Sequence, residues 1–328
     1  MRLLVLNCHE PWIYQLRWLE AELDIVVGLS GRAVAGWDER MRPVPPRARF
    51  LTLGEALAKV PRWDAVICHN ITDLLETSSI DAPKLFVVHD VLDGRIAQQS
   101  ANFNREDMIA KLRQYIAQLG AHAIAVSEMK GSSWGITGKG LPFASDPADY
   151  LQPTYERASG LRVANDVVSK RVFLAWDFHE AAFGELPVAL VGHNPALGIA
   201  AARNWDELKV HFARHRFYVH TADARFEDGY NMAMVEAMAA GLPVVSNAHP
   251  TSPLTHGVDG FVATDPIEAR AYAEALIGDI ELARRMGAAA RETVRRAFGP
   301  DAFRVRAYDA IGRAGKKFRR RQRTLVAR

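Results

Sequence analysis

Two carboxylates eight positions apart, Asp228 and Glu236, flank the start of an apolar helical run within Phe226–Ser246. The loop Asp228-Gly229-Tyr230-Asn231 precedes Met232 to Ala239, and Gly241-Leu242-Pro243 then leads into the strand-like Val244-Val245-Ser246. The first turn of a helix carries unpaired backbone N–H groups and a partial positive charge, which together make a seat for a diphosphate. Gly229 lets backbone approach a ligand closely, Tyr230 stands beside it, and Asn231, Met232 and Ala233 would supply the amides. Glu236 falls one turn further in, roughly 7–8 Å beyond Asn231 along the axis. Carboxylates set that far apart do not suit the nucleophile pair of a retaining glycosidase, which needs about 5–5.5 Å. They suit the two ends of a nucleotide-sugar, with Glu236 on ribose hydroxyls and Asp228 on the sugar. The plainer alternative is an acidic cap ahead of a core helix.

The elements that must position these residues follow from the apolar runs. Leu3–Leu6, Asp24–Val27, Asp64–Cys68, Lys84–Val88 and Ala121–Val126 alternate with amphipathic stretches such as Glu106–Leu119. The second half repeats the scheme with Val172–Ala175, Val188–Val191, Phe217–Val219, Pro243–Ser246 and Gly260–Ala263. Short, continuously apolar strands separated by helices predict parallel sheets covered on both faces. The segment from Pro142 to Lys170 is rich in Pro, Asp, Ser and Gly and reads as an inter-domain connection. Helices are expected over Pro266–Asp279, Ile280–Phe298 and, after the break at Gly299-Pro300, Asp301–Arg313. The organisation predicted is residues 1–160, 161–300 and 301–328: two α/β domains and a terminal helix with a basic tail. At 328 residues the chain is the right length for two such cores.

The central segment resembles glycosyltransferase family four and its relatives, the group 1 glycosyl transferases. These carry Glu-x7-Glu followed by Ala-Met-Ala-x-Gly-x-Pro-Val-Val. This chain has Asp228-x7-Glu236 and then Ala237-Met238-Ala239-Ala240-Gly241-Leu242-Pro243-Val244-Val245, and the likeness runs on to Asp259-Gly260-Phe261. The resemblance implies a GT-B fold, two Rossmann-like doubly wound domains facing a cleft, with the C-terminal helix returning to the first. It implies a metal-independent, retaining hexosyltransferase with a nucleotide-sugar donor and no cofactor. The acceptor is a saccharide, a lipid-linked group or a small molecule. One departure is Asp228 in place of the first Glu, shorter by one methylene. Another is the Gly-Arg and Lys-Gly that relatives show after the first strand of the donor domain. Here that place reads Phe173 to Glu180, without Arg or Lys, so Lys170, Arg171 or Arg225 must serve, or the helix end must do more. A GT-B-fold sugar-nucleotide epimerase and a catalytically weak nucleotide-sugar-binding protein are the alternatives.

Further candidates lie at strand ends. Thr251 and Ser252, in the loop after Pro243–Ser246, offer hydroxyls and amides to the donor, and Gly192 serves a turn near the nucleotide base. On the acceptor side His9 follows the first strand and His89 ends a later one, both set against the reading of polar loop residues. His69 ends the strand between them. Three histidines at parallel strand ends suggest a metal, but no carboxylate–histidine spacing supports one.

Composition bounds the rest. The two cysteines, Cys8 and Cys68, match neither a disulfide framework nor a metal knuckle, which favours reduced thiols in a cytoplasmic protein. The run Leu3–Leu6 is too short for a signal peptide. Lys316 to Arg328 carry seven of the basic residues and no acid; taking these from the net +3 leaves the rest of the chain at −4. Such an end is either solvated or drawn to an anionic membrane surface, on the inner face. No basic aromatic platform points to nucleic acid.

Overall fold

A computed structural model of the chain describes residues 1–31, 35–58, 62–99 and 103–326. It divides into two compact units, one made of Met1–Pro142 with Phe303–Arg328 and the other of Phe143–Ala302. The units thus divide at residue 142 rather than 160.

The first unit follows the order β1 (Arg2–Leu6), α1 (Glu10–Tyr14), β2 (Glu22–Val27), β3 (Ala48–Thr52), α2 (Leu53–Ala58) and β4 (Ala65–Cys68). It continues with α3 (Ile71–Glu76), β5 (Lys84–Val88), α4 (Leu92–Gln99), α5 (Arg105–Leu119), β6 (His122–Ala125) and α6 (Glu128–Ser133). Its sheet runs β3-β2-β1-β4-β5-β6, every pair parallel. Leu3 to Leu6, Ala65 to Cys68 and Leu85 to Val88 are buried, as strands covered on both faces must be. The apolar runs named five of the six strands. They missed β3, an edge strand in which Leu51 alone is buried, so it has no apolar run to announce it. Strand order reverses between β1 and β4, which opens a crevice at their carboxyl ends.

The second unit contains β7 (Arg157–Val163), α7 (Trp176–Phe183), β8 (Val188–Val191), α8 (Trp205–Arg214) and β9 (His215–His220). After these come α9 (Met232–Ala239), β10 (Val244–Asn247), β11 (Gly260–Ala263), α10 (Pro266–Gly278) and α11 (Ile280–Ala297). The sheet order is β11-β10-β9-β7-β8, again all parallel, with its reversal between β7 and β9. Here the sequence reading needs correction. Val172–Ala175 is a turn, and the first strand is β7, inside the stretch taken for a linker. Its sequence Arg-Ala-Ser-Gly-Leu-Arg-Val hides a strand because Arg157 and Ala158 are exposed, while Gly160 and Arg162 are there for packing. A Cβ on Gly160 would come within 2.6 Å of the Phe217 ring. Arg162 is 1% exposed, and its guanidinium donates to the carbonyls of Val219 (3.0 Å) and Thr221 (3.1 Å), tying down the end of β9.

Helix α9 is followed, after its cap Ala240, by Gly241, whose φ of +93° is open to glycine and strained for other residues. The Gly241 carbonyl accepts from the Tyr155 hydroxyl at 2.7 Å, and Gly287 of α11 lies so close that a Cβ there would stand 2.0 Å from that carbonyl. These contacts set the axial position of α9. The last helix, α12 (Pro300–Val326), starts at the Gly-Pro break and runs well past the expected Arg313. From Phe303 it belongs to the first unit: the Tyr308 hydroxyl donates to Leu19 O (2.7 Å) and Arg321 Nε to Gln118 O (2.8 Å). No described helix is long and apolar enough to cross a membrane.

Candidate active site

Residues 221–231 leave the carboxyl end of β9, beside the reversal of strand order, and enter α9. Their start is clamped by Asn247 at the end of β10, whose Nδ2 donates to Ala222 O (2.9 Å) while its Oδ1 accepts from Ala222 N (3.0 Å). Asp228 and Glu236, the predicted carboxylates, are both buried, at 1% and 7% exposure. Asn231 proves to be the N-cap of α9: its Oδ1 accepts from Met234 N at 2.9 Å. Capping uses the Asn231 side chain and takes up the third amide of the helix, that of Met234. The amides of Met232 and Ala233, both half-buried, are the first-turn donors that remain at the helix start.

Gly229 has a packing role that the sequence did not show. Its amide donates to Thr251 Oγ1 (2.8 Å), and a Cβ would meet His249 Nδ1 at 2.6 Å. The missing side chain makes room for His249. Thr251 Oγ1 in turn donates to Asp228 Oδ1 (3.4 Å), so Thr251 holds the carboxylate. Ser252 closes a local turn, its Oγ accepting from Leu254 N (3.4 Å). The Tyr230 ring packs against Phe298 and Phe143, with centroids at 5.4 and 6.2 Å.

His249 is the residue that the sequence reading passed over. Its Nε2 faces Glu227 O (3.0 Å) and its Nδ1 accepts from Thr251 N (3.1 Å). A carbonyl only accepts and an amide only donates, which assigns the proton to Nε2 and makes the ring neutral. Burial holds the His249 pKa below the usual imidazole value, against the raising effect of the Glu227 carbonyl and the nearby carboxylates. The Glu227 side chain accepts from Asp228 N (3.1 Å). Glu227, Asp228, Gly229, His249 and Thr251 thus form one network across the two loops. A histidine two residues before Thr251 was the only hint of it in sequence.

Gly192 sits at φ +150° after β8, where a Cβ would lie 2.0 Å from Ala164 O. The turns after β7 and β8 are zipped here: Asn194 Nδ2 donates to Ala164 O (2.8 Å) and Asn165 Oδ1 accepts from His193 N (2.8 Å). With β7 in its true place, the cations that follow the first strand are Lys170 and Arg171. Lys170 faces Asp166 at 3.5 Å, while Arg171 is engaged by Asp177 (2.5 Å) and Glu180. Arg225 is paired with Asp223 at 2.7 Å.

The acceptor-side candidates gather in the first unit. Cys8 and His9 follow β1, His69 follows β4 and His89 follows β5. His9 is exposed and begins α1 through its backbone. His69 Nδ1 and His89 Nε2 share a hydrogen bond of 2.8 Å, and His69 N donates to Asp73 Oδ2 (2.8 Å). Burial keeps His89 well below the ordinary imidazole pKa, and His69, His9 and Lys130 push it the same way. His69 and His89 line a cavity of about 280 Å³ that Asn70, Asp90, Arg95 and Trp134 also border. Cys8 lies with the two imidazoles, one ligand-type atom from each within 4.8 Å of the others.

The family model for glycosyl transferases group 1 matches residues 184–280, which hold α9, both carboxylates and the His249–Thr251 loop. No curated protein sequence matches the chain. Among solved structures, Anabaena HepE in complex with UDP and glucose superposes with a TM-score of 0.68 at 13% identity, over 95% of this chain and 99% of that one. Sucrose-phosphate synthase from Thermosynechococcus elongatus gives 0.62 at 13%, over 94% and 98%. An alpha-glucosyltransferase in complex with UDP and a 13-mer DNA gives 0.62 at 12%, over 95% and 99%. The two parallel sheets and the returning C-terminal helix are the GT-B fold, and the chain resembles the glycosyl transferases of group 1 across the segment that carries its candidate donor site.

Proposed function

We propose that the protein transfers a hexosyl group from a nucleotide-sugar to a saccharide, lipid-linked or small-molecule acceptor with retention of configuration. One observation carries the reading: in chain order the Met232 and Ala233 amides at the start of α9 fall between two buried carboxylates, Asp228 and Glu236, within the segment matched by the family. The helix end stabilises the negative charge of the departing diphosphate. Glu236 takes the ribose and Asp228 the sugar, oriented by Thr251. Lys170, at the turn after β7, supplies further positive charge by leaving Asp166. The transfer calls for no metal at the diphosphate. UDP, present in the HepE and alpha-glucosyltransferase complexes, is the nucleotide to try first. His9 and His89 serve the acceptor. We place the enzyme in the cytoplasm, with the basic end of α12, Lys316 to Arg323, against an anionic membrane face.

The test is a panel of UDP-, GDP-, ADP- and TDP-sugars read by thermal stabilisation, followed by transfer assays with the stabilising donor. Asp228→Ala is expected to remove most turnover and to leave free-nucleotide affinity near wild type. Glu236→Ala is expected to weaken nucleotide binding in calorimetry. Turnover of Asp228→Ala near wild type would refute the assignment. Epimerised donor formed without any acceptor would instead identify an epimerase.

A further inference from the structure

The carboxyl edge of the first sheet brings together three side chains that the transfer reaction leaves without a joint role. Cys8, His69 and His89 come from the ends of β1, β4 and β5, and the first two straddle the reversal of strand order where α/β sheets open a crevice. The β1–α1 turn, Asn7-Cys8-His9-Glu10-Pro11, has no glycine, so this crevice lacks the backbone loop that would seat a dinucleotide. We propose that Cys8 Sγ and one ring nitrogen each of His69 and His89 hold a single transition-metal ion of the zinc class, with its fourth position on the cavity side.

Three features carry this. The donor set is right: one thiolate and two imidazoles suit zinc and related borderline ions and disfavour magnesium or calcium. The geometry is close: the three donor atoms lie within 4.8 Å of one another. Around zinc, with bonds of about 2.0–2.3 Å, tetrahedral edges are about 3.3–3.7 Å, so side-chain rotations of about an ångström complete the site. The ligands are also held. Trp12, fully buried, sets its ring edge-on to both imidazoles, with centroids at 4.9 and 5.1 Å. Asp73 fixes the His69 backbone and is itself half of the capping box of α3.

Three protein ligands leave one position for water or substrate, the pattern of catalytic rather than structural zinc. Both histidines line the 280 Å³ cavity, so that position meets space for a small hydroxylated ligand. On binding, the Cys8 thiol gives its proton to solvent as the sulphur–metal bond forms, and both imidazoles bind neutral. This makes His89 a metal ligand on the acceptor side. It departs from the expectation that the protein has no metal, and it is independent of the donor residues in the other unit.

The experiment is cobalt titration of the chelator-stripped, full-length protein, followed by displacement with zinc. One Co(II) per chain is expected, with a thiolate-to-cobalt charge-transfer band in the near ultraviolet and visible bands of a tetrahedral site. Cys8→Ser should abolish the charge-transfer band and Cys68→Ser should keep it. His69→Ala and His89→Ala should each weaken cobalt binding at least about tenfold. Far-UV spectra of the metal-free variants report folding. Should Cys8→Ser unfold, zinc protection of Cys8 against alkylation in the wild-type protein, read by mass spectrometry, replaces it. Absence of stoichiometric cobalt, a charge-transfer band that survives Cys8→Ser, or equal alkylation with and without zinc would overturn the proposal. None of these results depends on whether a nucleotide-sugar binds.

Discussion

A methyl group added at Gly229 has no room. In Gly229→Ala the new carbon would lie 2.6 Å from Nδ1, 2.7 Å from Cγ and 2.9 Å from Cβ of His249. Non-bonded carbons rest at about 3.5–4.0 Å, so the ring must retreat by about an ångström. It cannot do so without loss, because Nε2 is bonded to Glu227 O and Nδ1 to Thr251 N. Overpacking of this kind costs about 1–3 kcal/mol, and a broken hydrogen bond adds about 0.5–1.5 kcal/mol. The expected loss is about 2–4 kcal/mol, or a fall in Tm of about 5–12 °C for a unit of this size. Differential scanning calorimetry measures it. The cause is isolated by a double-mutant cycle: in a His249→Ala background the methyl has space, so Gly229→Ala should cost at least about 1 kcal/mol less there. A wild-type melting point for Gly229→Ala, or an equal cost in both backgrounds, would refute the role assigned to His249.

Three further outcomes are expected. Thr251→Val leaves Gly229 N without its acceptor and removes the Thr251 hydroxyl from Asp228; chemical denaturation should show a loss of about 1–2 kcal/mol, with nucleotide affinity reduced. Gly192→Ala sets a methyl against Ala164 O at a φ of +150°, and should separate the turns after β7 and β8, seen as accelerated hydrogen exchange at His193 and Val167. His179 is 7% exposed and stacked on Trp176, and burial, helped by Arg162, lowers its pKa from 6.5 to about 3. Below pH 6.5 the unfolded chain takes up this proton before the folded one, so stability falls with pH down to about 3. Between pH 7 and 5 the share due to His179 is about 2 kcal/mol, and urea titrations should show that share missing in His179→Phe.

Legibility in the sequence followed burial pattern. Strands such as Leu3–Leu6 and Lys84–Val88 are covered on both faces and show as apolar runs. β7 does not: Gly160 is shaped by the Phe217 ring, and Arg162 is buried on carbonyls of a strand more than fifty residues away. Mistaking Val172–Ala175 for that strand also misplaced the cations, since Lys170 and Arg171 precede that turn and follow the true strand. In the candidate donor segment the helix start was readable because capping and helical phase are local. The tie from Thr251 to Gly229 crosses twenty-two positions and left no periodic trace.

Sequence alone therefore determined the two doubly wound sheets and the helix that begins after Asn231, and named Asp228 and Glu236 as the candidates beside it, since strand burial, helix phase and end caps act over a few residues. Tertiary structure decided which groups meet. It set Gly229 against the His249 ring, made the Asn231 side chain the cap of α9, and turned Cys8 from an incidental thiol into the companion of His69 and His89. Such meetings depend on strand order, because parallel strands bring together loops that are far apart in the chain.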